Sequence, residues 1–281
     1  MKNEKIQNII SKVKGKKNLG VDDKYVFEIL DKYLKNPKIK EIFEKPEKEI
    51  LKNKVFKKLT KEIRKELYKV HGLYQVKKQS NKQNLLKQLE KARNIDDTRK
   101  TSREILKQHT SSRERLSIYN KLYLEILKLK PESILDLASG LNPCSIILSN
   151  FKGSYYAYEI SKDDVDFLNK YFKAIKKYNI NGKAFVKDIT KDFNFEKTDV
   201  CFLFKFLDLL GKNRKLFFIN LLKNLKCKYL IVSFSKKTIS LKQMKNTERN
   251  WFINLLNSLN LSYKRIDFEN EFFYIIKLKI F

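Results

Sequence analysis

Hydrophobic positions recur every three or four residues along the first 70 residues of the chain. One apolar stripe runs from Asp22 to Leu34, and a second stretch from Pro46 to Val70 repeats the pattern. This spacing is typical of amphipathic helices, and Pro37 and Pro46 mark breaks between them. From Ser80 to Ser102 the sequence is polar and weakly periodic, so we expect an exposed helix or a connector there.

The hydrophobic pattern changes after about residue 113. A helical stretch from Leu116 to Leu129 is followed by short apolar runs that predict strands at Ser133–Leu137, Ser154–Tyr158, Lys183–Lys187, Asp199–Phe204, Lys228–Phe234, Leu261–Phe268 and Glu271–Ile280. Helical patterns separate most of these runs, at Lys162–Tyr178, Arg214–Asn224 and Asn246–Leu259. Strands that alternate with helices predict a parallel α/β sheet covered on both faces.

The last two predicted strands follow one another without a helix. We therefore expect an antiparallel hairpin at the edge of the sheet, which is typical of a Rossmann-like methyltransferase and not of a dinucleotide dehydrogenase. The predicted fold class is α/β, a class I (Rossmann-like) S-adenosylmethionine-dependent methyltransferase with an N-terminal all-helical domain. The predicted boundaries are residues 1–105 for the helical domain and 106–281 for the methyltransferase domain.

The chain carries a large excess of positive charge, with 62 Lys and Arg against 32 Asp and Glu and a net charge of +30. Residues 1–110 hold 31 of the basic and 15 of the acidic residues, so the helical part is the more densely positive. Such an excess indicates a polyanionic partner, either nucleic acid or an anionic membrane surface.

Several other classes of protein do not match this sequence. The longest apolar run, from Val200 to Leu210, is interrupted by Lys205 and Asp208 and is shorter than the roughly 20 residues of a membrane span. The beginning of the sequence has no apolar stretch of signal-peptide length. Three scattered cysteines and two histidines indicate neither a disulfide framework nor a structural metal site. We expect a cytoplasmic monomer that contacts no membrane.

Acidic residues stand at the ends of the first three predicted strands. Asp136 lies in the first strand, before the small-residue loop that contains Gly140, and Glu159 and Asp188 directly follow the second and third. The carboxyl ends of parallel strands meet at one edge of the sheet, where doubly wound folds bind ligands. One carboxylate can hold ribose hydroxyls and another an adenine amino group, so the pattern predicts an S-adenosyl-L-methionine site. The absence of G-x-G-x-x-G argues against a dinucleotide.

Six segments, in this order, resemble the aminoglycoside-resistance 16S ribosomal RNA (guanine-N7) methyltransferases. They are His109-Thr-Ser-Ser-Arg-Glu-Arg-Leu116, Gly140-Leu-Asn-Pro143, Phe202-Leu-Phe-Lys-Phe-Leu207, Ile231-Val-Ser-Phe234, Trp251-Phe252 and Asn270-Glu271. The resemblance covers roughly residues 105–281. It implies a helical domain that docks on the small ribosomal subunit, a class I methyltransferase domain, and 16S ribosomal RNA as the partner. This chain has Ala138 and Ser139 where the family usually has Gly and Cys.

The resemblance also implies roles for individual residues. Arg113 would grip the methionine carboxylate, Gly140 would line the cofactor, Glu159 would hold the ribose and Asp188 the adenine. The predicted cofactor site further includes His109, Asp136, Ile160, Ile189 and Phe204, and Lys205 and Phe206 are the predicted catalytic residues. Of the two phenyl rings beside Lys205, we expect one in the core and the other to be available for stacking on a flipped base.

The residues after the fourth strand favour guanine N7 as the methylated atom. N7 has a free lone pair and needs no base, so alignment and desolvation are sufficient. That segment, Lys205-Phe-Leu-Asp208, lacks the Pro-Pro motif of amino methyltransferases, and Cys201 is expected in the core and not as a nucleophile. Lys205 leaves ribose 2′-O methylation as the alternative enzymatic activity. A ribosome-binding assembly factor with weak or no catalysis is the non-enzymatic alternative.

Overall fold

The structure is a computed structural model that describes residues 2–15, 21–67, 81–237 and 248–278. Contacts divide the chain into two compact units. In its described residues the first contains five helices and the short segment Ile160–Asp163, and the second contains the remaining elements. Among the residues described, no helix combines the length and the apolar character that crossing a membrane requires.

The first unit is built from amphipathic helices around a small apolar core. They are α1 (Lys2–Lys14), α2 (Asp23–Leu34), α3 (Pro37–Glu44), α4 (Glu47–Lys52) and α5 (Lys54–Leu67). Their apolar stripes meet in one cluster that includes Val13, Val26 and Ile63. The lysines of α5 lie on its outer face, where Lys57, Lys58 and Lys61 are exposed. The predicted helical character of this region is confirmed.

The stretch that we predicted as one helical pattern from Pro46 to Val70 contains two helices. The side chain of Asn53 lies between α4 and α5 and accepts a hydrogen bond from the backbone N–H of Val55 at 2.8 Å. This contact caps the start of α5 and separates it from α4. Residues 68–70 of the predicted stretch lie outside the described residues.

The second unit is an α/β domain. It contains α6 (Lys82–Glu90), α7 (Ile95–Leu106), α8 (Thr110–Glu114), α9 (Tyr119–Leu127), α10 (Lys162–Ile175), α11 (Arg214–Asn224) and α12 (Asn250–Ser258). The strands are β1 (Ser133–Leu137), β2 (Gly153–Glu159), β3 (Ile180–Val186), β4 (Thr198–Phe204), β5 (Cys227–Ser235), β6 (Tyr263–Asp267) and β7 (Glu271–Lys277). All seven predicted strands are confirmed; the last ends at Lys277, before Leu278, and residues 279–280 of its predicted range lie outside the described residues.

The seven strands form one sheet in the order β3-β2-β1-β4-β5-β7-β6. Strands β1 to β5 are parallel, and β7 pairs antiparallel with both β5 and β6. The predicted edge hairpin is therefore confirmed. The order of strands reverses between β1 and β4, and ligands of doubly wound sheets bind at such a switch point.

Both faces of the sheet are covered, which explains the apolar strands. Ile134 of β1 belongs to a core cluster with α6, α7, α9 and α10, whereas Leu135 and Leu137 belong to the cluster with α11 and α12. Cys201 is buried in β4, as predicted. Helices α6 and α7 confirm the helical alternative predicted at 80–102, but they pack in the first cluster through Leu85, Leu89 and Ile105, among others, so the predicted exposure is wrong. The boundary predicted at residue 105 accordingly falls inside the α/β unit.

Candidate cofactor and substrate site

The three acidic strand ends lie at the same edge of the sheet, because β1, β2 and β3 are adjacent and parallel. Asp136 in β1 is almost completely buried, Glu159 ends β2 and is 9 % exposed, and Asp188 follows β3 and is half-buried. The carboxylates of Glu159 and Asp188 thus lie at the ends of neighbouring strands. Their roles as ligands of ribose and adenine stay a prediction.

Glu159 holds the loop after β1 in place. Its Oε2 accepts a hydrogen bond from the backbone N–H of Gly140 at 2.8 Å. One residue earlier, the N–H of Ser139 donates to the carbonyl oxygen of Tyr158 at 3.0 Å. The small-residue loop is therefore fastened directly to the end of β2, and the same carboxylate that we predict as a ribose ligand also fixes the loop.

The close approach of His109 leaves no room for a side chain at Gly140. The glycine's φ of +52° lies in the left-handed region, and a Cβ at this position would lie 2.9 Å from Cε1 of His109. The imidazole thus packs against the backbone of the loop, and its Nδ1 is 3.0 Å from Oγ of Ser111. His109 immediately precedes α8, whose exposed Arg113 is the predicted ligand of the methionine carboxylate.

Asp136 supports the loop from below. Its Oδ2 accepts hydrogen bonds from Nδ2 of Asn142 at 2.8 Å and from the hydroxyl of Tyr155 at 2.7 Å. Burial raises the pKa of Asp136 to about 7, although these two hydrogen bonds act in the opposite direction. The carboxylate of Asp136 is buried, and through its hydrogen bond it holds the side chain of Asn142 in the Gly-Leu-Asn-Pro segment.

The turn after β3 is organised by Asp188. Its Oδ1 accepts from the N–H of Thr190 at 3.0 Å and from the Thr190 hydroxyl at 2.6 Å, and its Oδ2 lies 3.2 Å from Nζ of Lys191. Ile189 is buried in the core beside this turn. Ile160 is half-buried and belongs to the short segment grouped with the first unit.

A cluster of four charged side chains, of which three are buried and Glu114 is half-buried, lies near this edge of the sheet, and the sequence analysis did not predict it. The carboxylate of Glu271, at the start of β7, forms ion pairs with Nε of Arg115 at 2.9 Å and with Nζ of Lys205 at 3.1 Å. Lys205 also contacts Oε2 of Glu114 at 2.6 Å. Two cations and two carboxylates therefore balance one another. We call Glu114, Arg115, Lys205 and Glu271 the ion cluster.

Neutral side chains complete the hydrogen bonding of the ion cluster. Ser233 of β5 donates its hydroxyl to Glu271 at 2.5 Å, and Nη1 of Arg115 donates to Oδ1 of Asn142 at 3.2 Å. Burial acts to raise the pKa of Glu271, but the charges of Arg115 and Lys205 outweigh it and hold that pKa below its usual value. Buried charges are tolerated when they are paired and hydrogen-bonded in this way.

The ion cluster and its hydrogen-bond partners bring together residues from most of the resembling segments. Glu114, Asn142, Lys205, Ser233 and Glu271 come from five of the six resembling segments, which are far apart in the sequence. One available signal was Glu271 itself, a carboxylate at the head of the otherwise apolar strand Phe-Phe-Tyr-Ile-Ile. Sequence reasoning found no partner near Lys205 because its partners are 91 and 66 residues away along the chain.

The two phenylalanines beside Lys205 have different surroundings. Phe204 is the one that packs in the core, where it stacks on Phe202. The guanidinium carbon of Arg115 lies over the Phe204 ring, 4.9 Å from the ring centroid. Phe206 is half-buried and tilts against Phe217 of α11, with 5.4 Å between ring centroids. The predicted roles of Phe204 in cofactor binding and of Lys205 and Phe206 in catalysis stay predictions.

This sheet order, with carboxylates at the ends of β2 and β3 and a glycine loop after β1, defines the class I methyltransferase fold. The same fold is found in known structures: RmtF, a 16S rRNA methyltransferase crystallised with S-adenosyl-L-homocysteine, has a TM-score of 0.73 at 19% identity over 98% of this chain and 99% of its own. The 16S rRNA methylase ArmA has a TM-score of 0.54 at 25% identity, over 72% of this chain and 100% of its own.

Sequence comparison places the chain in a particular family. Residues 47–275 match the model of the family described as Ribosomal RNA methyltransferase (FmrO), and the chain belongs to this family. It is 25% identical to the 16S rRNA (guanine(1405)-N(7))-methyltransferase of Micromonospora echinospora over 74% of this chain and 78% of that protein. It is 30% identical to the enzyme of the same name from Proteus mirabilis over 49% of this chain and half of that protein.

Proposed function

We propose that this protein transfers a methyl group from S-adenosyl-L-methionine to N7 of a guanine in the decoding region of 16S ribosomal RNA. The observation that carries the proposal is the pair of carboxylates, Glu159 and Asp188, at the ends of adjacent parallel strands beside the Gly140 loop. Two relatives named as 16S rRNA guanine-N7 methyltransferases support the choice of substrate. The proposal includes the assembled small subunit as substrate and a monomeric enzyme in the cytoplasm.

The residues of the site fit this methyl donor. Glu159 would accept hydrogen bonds from the ribose hydroxyls, and Asp188 one from the adenine amino group. Arg113 would pair with the methionine carboxylate, and Gly140, whose missing Cβ leaves room for His109, would line the cofactor with its backbone. When bound, S-adenosyl-L-methionine supplies an electrophilic methyl group. The lone pair of N7 would form the new N–C bond while the bond between the methyl carbon and sulfur breaks, and its electron pair would leave with S-adenosyl-L-homocysteine. No proton has to be removed, so the protein contributes alignment and exclusion of water.

Ribose 2′-O methylation stays the alternative activity, and the ion cluster makes it less suitable. A lysine that acts as a base has to reach the ribose hydroxyl with its Nζ, whereas Nζ of Lys205 is held between Glu114 and Glu271. N7 methylation makes no such demand on the ion cluster.

The methylated atom can be identified by its chemistry. N7-methylguanosine carries a positive charge, so borohydride followed by aniline should break the RNA at one position in the decoding region. The break should appear only in small subunits that were incubated with both protein and S-adenosyl-L-methionine, and primer extension would locate it. A linkage that resists alkali and is not cut by aniline would show ribose methylation instead.

Cofactor binding can be tested without RNA. The variant Glu159→Gln keeps an acceptor for the N–H of Gly140 and removes the charge that would hold the ribose, so calorimetry should show binding weaker by about 1.5–3 kcal/mol. Asp166→Asn, which removes an exposed carboxylate from α10, is the matched control and should bind like the wild type. A wild-type chain that does not bind S-adenosyl-L-methionine would favour the assembly-factor alternative.

A further inference from the structure

We propose that Lys205 is a positioning residue, whose ammonium joins the segment that carries Arg113 to the end of β4. This inference rests on the proposed function, because it assigns the two joined segments to the methyl donor and to the target base. Lys205 is 8 % exposed, and its Nζ lies 2.6 Å from Glu114 and 3.1 Å from Glu271. It therefore bridges two carboxylates from different elements.

The first carboxylate belongs to the segment on the cofactor side. Glu114 is the last residue of α8 and directly follows Arg113. At the other end of this five-residue helix, His109 packs on Gly140 in the loop after β1. Any displacement of Glu114 would therefore move the predicted ligand of the methionine carboxylate. The contact between Lys205 and Glu114 fixes that end of the helix.

The second carboxylate, Glu271, fixes the position of Lys205 within the sheet. Glu271 starts β7 and is itself held by Arg115 and by the hydroxyl of Ser233. Ser233 also accepts a hydrogen bond from the backbone N–H of Lys205, at 3.1 Å to its carbonyl oxygen and 3.1 Å to its Oγ. The side chain and the backbone of Lys205 are thus anchored to the same group of residues.

The backbone of Lys205 shows why this anchoring matters. Its φ of +56° lies in the left-handed region that residues other than glycine rarely adopt. Such a conformation persists only where the surroundings enforce it. The turn ends β4 and directs the chain into Phe206 and the 3₁₀ turn Leu207–Asn213, the segment after the fourth strand. In the proposed enzyme this segment borders the target base, so Lys205 couples its geometry to that of α8.

A double-mutant cycle tests this coupling. The variants are Lys205→Met, Glu114→Gln and their combination, with Lys205→Arg as the conservative change. The matched control is Lys264→Met, which breaks an exposed ion pair with Glu125. For the full-length chain, kcat and the KM for S-adenosyl-L-methionine are measured on small subunits, together with the thermal unfolding midpoint and amide hydrogen exchange of residues 110–116.

We expect kcat/KM to fall by about 10- to 100-fold in both single variants, the range that a small misplacement of reacting groups produces. The double variant should lose no more than the worse single variant, since both remove the same link. Lys205→Arg should recover part of the rate, and Lys264→Met should resemble the wild type. Amide exchange of residues 110–116 should become faster in Lys205→Met and in Glu114→Gln.

Several results would overturn the proposal. A full rate in Glu114→Gln beside a large loss in Lys205→Met would mean that Lys205 acts on the substrate directly. Additive losses in the double variant, or a lower unfolding midpoint with unchanged kcat and KM, would mean that the two residues act separately or only on stability. Should Lys205→Met fail to fold, Glu114→Gln and Lys205→Arg still decide, because unchanged KM and exchange in Glu114→Gln would refute the coupling.

The failure of the proposed function would look different. If the wild type does not methylate small subunits, the methyltransferase proposal is wrong. Amide exchange, measured without cofactor or RNA, would then decide whether Lys205 holds α8. Unchanged exchange in Glu114→Gln and Lys205→Met would reject that link independently.

Discussion

Ala138 shows how a single residue in the loop after β1 can store strain. Its φ is +52°, in the left-handed region, although it carries a Cβ. That conformation costs an L-residue roughly 1–2 kcal/mol, whereas glycine adopts it freely. The family that the sequence resembles usually has glycine here. The structure therefore gives a physical reason for that preference and a measurable consequence of departing from it.

We expect Ala138→Gly to stabilise the protein. Glycine loses more chain entropy than alanine on folding, which costs about 0.5–1 kcal/mol, but the relief of strain is larger. The free energy of unfolding, measured with urea, should therefore increase by up to about 1 kcal/mol. Ala174→Gly is the matched control, since Ala174 lies in the last turn of α10, where the backbone is helical and continues into a 3₁₀ turn, and this change should destabilise the protein by up to about 1 kcal/mol. Equal destabilisation by both changes would show that the loop is not strained at Ala138.

At the scale of elements, the strands were predictable because their signals are local. Each strand of the parallel sheet is a short apolar run, and the order of the runs together with the intervening helices defines the topology. The positions of Glu159 and Asp188 followed from that topology alone, since the carboxyl ends of adjacent parallel strands must meet. Local pattern and topology were thus sufficient to place these two carboxylates at neighbouring strand ends.

Helix α7 was mistaken for exposed structure because part of its buried face is polar. Thr98 and Ser102 of α7 are buried, and their hydroxyls hydrogen-bond to the hydroxyls of Tyr178 and Tyr171, both at 2.9 Å. The hydrophobic pattern of a sequence cannot reveal such hydrogen-bonded pairs of hydroxyl groups. The break at Asn53 was missed for a related reason, because an asparagine cap interrupts a helical pattern without proline or glycine.

The ion cluster could not be predicted because it depends on contacts between distant segments. Arg115 and Glu271 are 156 residues apart, and each by itself looks like a solvated charge. Only the packed sheet shows that both are buried and face one another. A few charged side chains of this protein are thus buried and paired, whereas many others lie on its surface.

At the scale of the whole molecule, the outer charge bears on how the protein finds its substrate. We propose that the first unit docks on ribosomal RNA, and the exposed lysines of α5 are the residues most suited to contact phosphates. Helix α5 buries Phe56, Leu59 and Ile63 on one side and exposes Lys58 and Lys61 on the other. Phosphate contacts release counterions, so binding should weaken steeply as salt increases.

The double variant Lys58→Gln with Lys61→Gln should therefore bind the small subunit more weakly. The slope of log K against log salt should also become shallower, by about one unit for each phosphate that the protein no longer neutralises. Lys170→Gln with Lys173→Gln is the matched control, because these exposed lysines of α10 have the same spacing. Binding of S-adenosyl-L-methionine should be unchanged in both pairs. Filter binding across a salt series would measure the slopes. An unchanged slope in the α5 pair beside a reduced slope in the α10 pair would place the RNA-binding surface on the α/β unit, and a salt-independent affinity would indicate a protein partner.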